Sequence, residues 1–237
     1  MSDIRELADL VARSSEYLLA VRRGEDTEPA REALATLDAG SVAALASGDA
    51  GLAFWLNIYN AAAQDALATD PDQYASRWRF FRRKLVTVAG HDLGLDDVEH
   101  GILRGSRSKY GLGYAPRLAS SRFQRRVALA ALDPRLHFAL NCGATSCPAI
   151  RGYEADAVDD QLTEATRSYL ERTVEYDPER ERLRVPRLCL WFYGDFGRKP
   201  GILEFCRRHG VLAPEASPRL RFLPFDWSLR PGRFAEE

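Results

Sequence analysis

The sequence predicts an α+β fold: a single domain with a mixed or antiparallel sheet flanked by helices, behind an N-terminal helical subregion. Three observations predict it. Several long stretches carry apolar residues at helical spacing. Shorter stretches alternate apolar and polar residues around turn formers. No internal repeat, low-complexity tract or linker divides the 237 residues, a length ample for one sizeable core. The expected division is residues 1–45 for the helical subregion and 46–237 for the domain.

Along the chain, Ile4, Leu7, Leu10, Val11, Tyr17, Leu18 and Val21 mark a helix over 3–23, and 28–37 reads as a second, shorter one. The run 51–67, GLAFWLNIYNAAAQDAL, is long and alanine-rich enough for a buried helix. Residues 84–95 alternate on either side of Gly90 as a β-hairpin. Asp96 then begins a helix, with Glu99 at the reciprocal capping-box position. Residues 109–116, with two glycines and two tyrosines, form a surface loop, and 123–132 a helix. Asp133–Pro134 breaks that helix, and 135–141 is read as a strand. A helix over 158–170, a hairpin around Asp177–Pro178, an apolar aromatic stretch at 188–196 and a helix over 202–209 follow. An edge strand interrupted by Pro224 closes the chain.

Composition excludes some functions. Thirty-three basic residues against 34 acidic ones leave a net charge of −1. No global field draws nucleic acid or an anionic membrane. No stretch offers the ~18 consecutive apolar residues of a spanning helix. The first residues carry acids and no unbroken apolar core, unlike a signal peptide. The expectation is a soluble, cytoplasmic protein whose four cysteines are free thiols. Its partner would be a small-molecule or peptide substrate, with no nucleic acid and no membrane.

The chemistry concentrates in PRLHFALNCGATSCPAIR, residues 134–151. Four residues separate Cys142 from Cys147, and His137 precedes Cys142 by five positions. The cluster suits a reactive thiol, a metal site or a disulfide, and the compartment favours the first. On a strand, Leu136, Phe138 and Leu140 would face the core while His137 and Asn141 face an open space. Cys142, before Gly143, is the preferred nucleophile. Cys147 precedes Pro148, where a short helix would activate it by its N-terminus. Zinc would use His137, Cys142 and Cys147, with His100 as a fourth ligand. No second paired-ligand motif supports that set. His100 has Asp96 one turn earlier to orient its ring. Asn57, Asn60 and Gln64 form a polar stripe on an apolar helix. Buried amides must be bonded, so they pin loop backbone, orient a ring or bind substrate. Cys189 and Cys206 read as core fillers.

The segments FWLNIYNA (54–61), LDDVEHGILRG (95–105), DPRLHFALNCGATSCPAIRGY (133–153), QLTEATRSYL (161–170), LWFYGDFG (190–197) and LPFDWSL (223–229) together resemble the domain-of-unknown-function 547 family, DUF547. The resemblance covers roughly residues 50–229. It implies that the polar positions that matter are Asn57, Asn60, Glu99, His100, Arg104, His137, Asn141, Cys142, Cys147, Arg151 and Asp195. The family has bacterial and plant members and no settled activity. A looser similarity to papain-like and transglutaminase-like thiol enzymes implies a divergent version of that fold. Phe54–Trp55 stands where a Cys–Trp pair begins the helix of those enzymes, so the parts would be permuted.

The resulting expectation is a thiol-dependent hydrolase or acyl/amide transferase acting on a small amide, peptide or ester. Cys142 would be the nucleophile, Cys147 the fallback, and His100 or His137 the base. Asn60, Asn141 and the Gly143 N–H would stabilise the oxyanion. Asn57, Asn60, Glu99, Arg104, Asn141 and Arg151 would bind substrate; no cofactor and no metal is called for. The alternatives are a non-catalytic peptide or small-acid binding module with structural cysteines, and a zinc-supported site.

Overall fold

A computed structural model describes residues 2–236, with the side chains of 2–4, and so the expected contact of Ile4, outside the description. Helix α1 (Ser2–Arg23), α2 (Glu28–Ala35) and α3 (Ala39–Ala44) precede α4 (Asp49–Thr69). Nearly all of α4 is buried, Phe54, Trp55 and Ile58 completely. Burial of each such side chain contributes about 1.5–3 kcal/mol. Helix α1 lies on α4, where Tyr17 donates to Asp65 (2.8 Å) and the Asn57 amide to Ser15 (3.1 Å). Leu10, Tyr17 and Leu34 of the N-terminal subregion belong to the same apolar cluster as Trp55 and Leu136.

After α5 (Arg77–Arg82), strands β1 (Val86–Val88) and β2 (His91–Leu93) form the expected hairpin, with Val86 opposite Leu93 and Val88 opposite His91. Farther on come α6 (Arg122–Val127) and α7 (Val158–Thr173). Strand β3 (Glu175–Asp177) is antiparallel to β4 (Arg182–Val185). Beyond α8 (Leu188–Trp191) and α9 (Arg198–Arg208), β5 (Arg219–Phe222) pairs parallel to β4 and stops before Pro224. The fold is α+β, with one hairpin and one mixed three-stranded sheet among the helices. A second apolar cluster, around Phe138, Leu170, Cys189, Phe205 and Cys206, fills the space beside the mixed sheet. No helix of the described residues is long and apolar enough to cross a membrane.

Four local expectations are corrected. Residues 135–141 are not a strand: Pro134–Phe138 is a 3-10 helix. Asp133 accepts from the Arg135 N–H (2.8 Å) and Pro134 occupies the first turn, the arrangement that starts helical structure. Asp96 makes no side-chain cap. Asp97–Leu103 is a π-helix, with the N–H of Arg104 bonding the Glu99 carbonyl (2.9 Å), five residues back. The 123–132 helix ends at Val127 because the N–H groups of Leu129 and Ala130 bond the carbonyls of Ile102 and Ala46 instead. No helix begins at Cys147, nor at Cys142.

Candidate functional site

Helix α4 fixes the cysteine loop through its amide stripe. Asn60 donates to the Ala139 carbonyl (3.0 Å) and accepts from the Asn141 N–H (2.8 Å). Asn57 does the same with Tyr153, 2.9 Å each way. Gln64 donates to Asn141 (3.2 Å) and accepts from the Gly232 N–H (2.8 Å). The stripe thus clamps the backbone on both sides of Cys142 and Cys147, satisfying buried amides with buried peptide groups. Asn141 closes the loop on itself: its amide donates to the Pro148 carbonyl (2.6 Å), and its oxygen accepts from the Gly143 N–H (2.8 Å). Gly143 has a φ of +92°, and a Cβ there would meet Leu67 at 2.4 Å, so only glycine fits. Asn57, Asn60 and Asn141, expected to bind substrate, are therefore occupied in holding the loop. So is the Gly143 N–H expected in an oxyanion hole.

The C-terminal segment straps the other side of this loop. Thr145 and Ser146 donate to the carbonyls of Ser228 (2.8 Å) and Asp226 (3.1 Å), and the Arg230 N–H donates to the Gly143 carbonyl (2.7 Å). The Arg233 guanidinium donates to the carbonyls of Ala144 and Cys147.

The two thiols meet at the floor of a pocket of about 470 Å³, within the usual size of ligand sites. Their sulfurs are 3.3 Å apart, and the Cys142 N–H points to Cys147 Sγ at 3.4 Å. Both side chains are buried from bulk solvent, yet both line the pocket. The pair is asymmetric. Hydrogen bonds from the Cys142 thiol and backbone, with the charge of Arg233, lower the Cys147 pKa against the effect of burial. The Cys142 thiol, as donor to Cys147 and desolvated, is pushed well above the ordinary thiol range. Of the two sulfurs, Cys147 is the one whose surroundings favour the charged form; those of Cys142, the expected nucleophile, disfavour it.

The π-helix supplies the acid–base groups. Asp96 is held by Lys109 (2.5 Å), and Asp97 by Lys84 (2.5 Å), Arg117 (2.6 Å) and the Gly94 N–H (3.0 Å). Burial works against the Asp97 charge, but those bonds bring its pKa down to about 2. Glu99 and His100 line the pocket, with the Asp96–Lys109 pair beside them, while Asp97 lies outside it. Burial, with Asp96 and Asp195 adding to it and Arg104 opposing, pushes Glu99 up to about 7. The Tyr59 hydroxyl donates weakly to Glu99 Oε2 (3.4 Å).

Arg104 is completely buried. It makes two bonds to Asp195 (2.7 and 3.2 Å), one to the Ser108 carbonyl (3.1 Å) and one to His100 Nδ1 (3.0 Å). A guanidinium only donates, so His100 Nδ1 accepts and the ring proton lies on Nε2. That nitrogen is 3.7 Å from Asp96 Oδ1, too far for a hydrogen bond. Burial and the neighbouring cations Arg104 and Lys109 hold His100 neutral. It is thus a hydrogen-bond donor rather than the expected base. His137 stacks on Phe192 at 3.9 Å, and its Nε2 is 3.0 Å from Asp195. Burial lowers its pKa to about 4 in spite of Asp195. Asp195, brought to about 2 by bonds from His137 and Arg104 against burial, is ionised. Nε2 of His137 must therefore carry the proton, which leaves Nδ1 bare.

Arg151 pairs with Glu164 (3.1 Å) and does not line the pocket. Arg104 is committed to Asp195. Of the expected substrate binders only Glu99 lines it. Among the described residues no three His, Cys, Asp or Glu side chains converge to hold a metal ion, so the proposed zinc ligands do not form a set. The walls come from residues the motif reading passed over: Trp78, Phe81, Tyr110, Trp191, Phe192, Phe225 and Trp227, with Arg77 over the Trp227 ring at 5.1 Å. For Trp191, Phe192, Phe225 and Trp227 the signal was the aromatic density of 190–197 and 223–229. Lys109 and Tyr110 bring the start of the 109–116 loop to the pocket.

A family model described as "Protein of unknown function, DUF547" matches residues 44–170, more than half of the chain. The chain belongs to that family. No curated protein and no solved structure matches it. The matched span carries both cysteines, both histidines and Glu99; Asp195 and the walls at 188–227 lie beyond it.

Proposed function

For this DUF547 member we propose a thiol-dependent hydrolase or acyl/amide transferase acting on a small amide, peptide or ester, with Cys147 as nucleophile. The asymmetric thiol pair carries the reading: one sulfur is stabilised as thiolate by donors from the other, at the floor of a pocket that also holds Glu99, His100 and His137. The apolar walls suit a substrate with an apolar acyl or aromatic part.

In this reaction Cys147 Sγ bonds to the carbonyl carbon, and the C=O pair moves onto oxygen. The Nε2–H of His100 donates to that oxygen. Collapse breaks the bond to the leaving group, which departs with the proton of Glu99. Water then attacks the thioester and gives a proton to the Glu99 carboxylate. Release of the acid restores the Cys147 thiolate and protonated Glu99. An amine or alcohol in place of water makes the same sequence a transfer. A carboxyl near pH 7 suits both directions of proton movement. The bare Nδ1 of His137, its ring oriented by Asp195, is a second acceptor.

The test uses 4-nitrophenyl acetate and octanoate with the full chain. A burst of nitrophenolate is expected, with an acyl adduct on the Cys147 peptide. Cys147→Ala should lower the rate at least about 100-fold and remove the adduct, whereas Cys142→Ala should keep it. Turnover by both alanine variants at the unmodified rate would refute the mechanism.

A further inference from the structure

Cys142 has no bond-making role in that reaction, yet its sulfur sits 3.3 Å from Cys147 Sγ. We propose that the pair is an oxidation site: a small peroxide converts Cys147 to a sulfenic acid, and Cys142 resolves it as a reversible disulfide. The inference stands on the geometry of the two sulfurs. Its consequence, that oxidation switches the pocket off, rests on the functional reading above.

Three observations carry it. The sulfurs are close enough that bonding at about 2.05 Å asks for a shift of little more than 1 Å. The two residues flank a loop of four, Gly143–Ser146, in which the Cys147 N–H bonds the Ala144 carbonyl (3.0 Å), so the turn already faces one cysteine toward the other. Finally, both cysteines line a pocket large enough to admit a peroxide, a molecule not much bigger than water.

The chemistry balances. The thiolate displaces hydroxide from hydrogen peroxide, giving Cys147–SOH and HO⁻; sulfur is oxidised and the O–O bond reduced. The Cys142 sulfur then attacks the sulfenic sulfur, its proton leaves with the hydroxyl as water, and the S–S bond forms. Two equivalents of an external thiol restore both side chains and become a disulfide. The roles follow from the asymmetry: the ionised sulfur is oxidised, and the neutral one resolves. Once bonded, Cys147 has no thiolate with which to attack a carbonyl.

Treatment of the full chain with a few equivalents of hydrogen peroxide tests this by covalent state, independently of any turnover. The expected result is an intact mass lower by the two hydrogens lost, and an unreduced peptide linking Cys142 to Cys147. Alkylation at Cys147 should slow at least about tenfold and recover with dithiothreitol. In Cys142→Ser, Cys147 should gain oxygen instead of a cross-link. Oxygen addition at Cys147 of the unaltered protein without the linked peptide would overturn the proposal. So would four thiols still free under the same treatment. Because the measurement is of bonds, a protein that hydrolyses no ester can still pass it, and an active one can fail it.

Discussion

Cys142 and Cys147 lie at the floor of the pocket, whereas Cys189 and Cys206 pack with Leu183, Ile202 and Phe205 in the second apolar cluster. All four are buried and unbridged. In the second cluster burial wins: it pushes Cys206 up to about 12 against the charge of Arg207, and Cys189 well above the ordinary range, where Cys206 adds its own charge. At the pocket floor the same burial is opposed by a thiol, an N–H and a guanidinium, and Cys147 is lowered. The difference teaches that exclusion from water does not decide a thiol's chemistry; the number of donors aimed at the sulfur does. The contrast extends to the surroundings. The cluster is held by packing. The pocket floor is held by buried amides bonded to peptide groups, and the wall beside it by the buried Arg104–Asp195 pair.

The largest test of that contrast is Arg104→Met. It leaves the buried Asp195 carboxylate with His137 and only a long contact to Arg107 (3.4 Å), so we expect a loss of about 3–5 kcal/mol in urea unfolding. Cys206→Ala, an equally buried change in the cluster, should cost about 1 kcal/mol. Equal costs would break the comparison.

A smaller effect sharpens it. The Glu99 pKa is raised to about 7 in the folded chain from an ordinary 4.5. Its contribution to stability is therefore full below pH 4.5 and is lost as pH rises to about 7. Glu99→Gln removes that slope. The variant should gain on the unaltered protein between pH 5 and pH 8 by on the order of 2–3 kcal/mol, read as the difference in unfolding midpoints. His137 acts with opposite sign, its contribution disappearing as pH falls from 6.5 towards 4. It is common to both proteins and drops out of the difference. A pH-independent gap between them would mean that Glu99 is ionised throughout.

Much of the scaffold was legible in the sequence. The spacing of Leu10, Val11, Tyr17 and Leu18, the alanine-rich run of α4 and the alternation around Gly90 each depend on residues close in sequence, and each element formed. The 3-10 helix was misread because Leu136, Phe138 and Leu140 alternate as in a strand, while the cap from Asp133 that decides the matter spans two residues. The π-helix was not legible at all. Its residues have an α-like pattern, and its register is fixed from outside by Lys84, Lys109 and Arg117. The site was legible as an inventory, since both cysteines, His100, His137 and Glu99 do meet in one pocket. Their roles were not. The tautomer of His100 depends on Arg104, whose own position depends on Asp195, 91 residues away. The amide stripe looked equally suited to substrate and to backbone, and only its partners at 139, 141 and 153 decide for backbone.

The most direct measurement is alkylation by iodoacetamide across pH, with each of the four cysteines followed by peptide mass. Cys147 should reach half-maximal rate below the pH of an ordinary thiol, with Cys142, Cys189 and Cys206 well above it. A Cys147 that reacts no sooner than the two cluster cysteines would contradict the account.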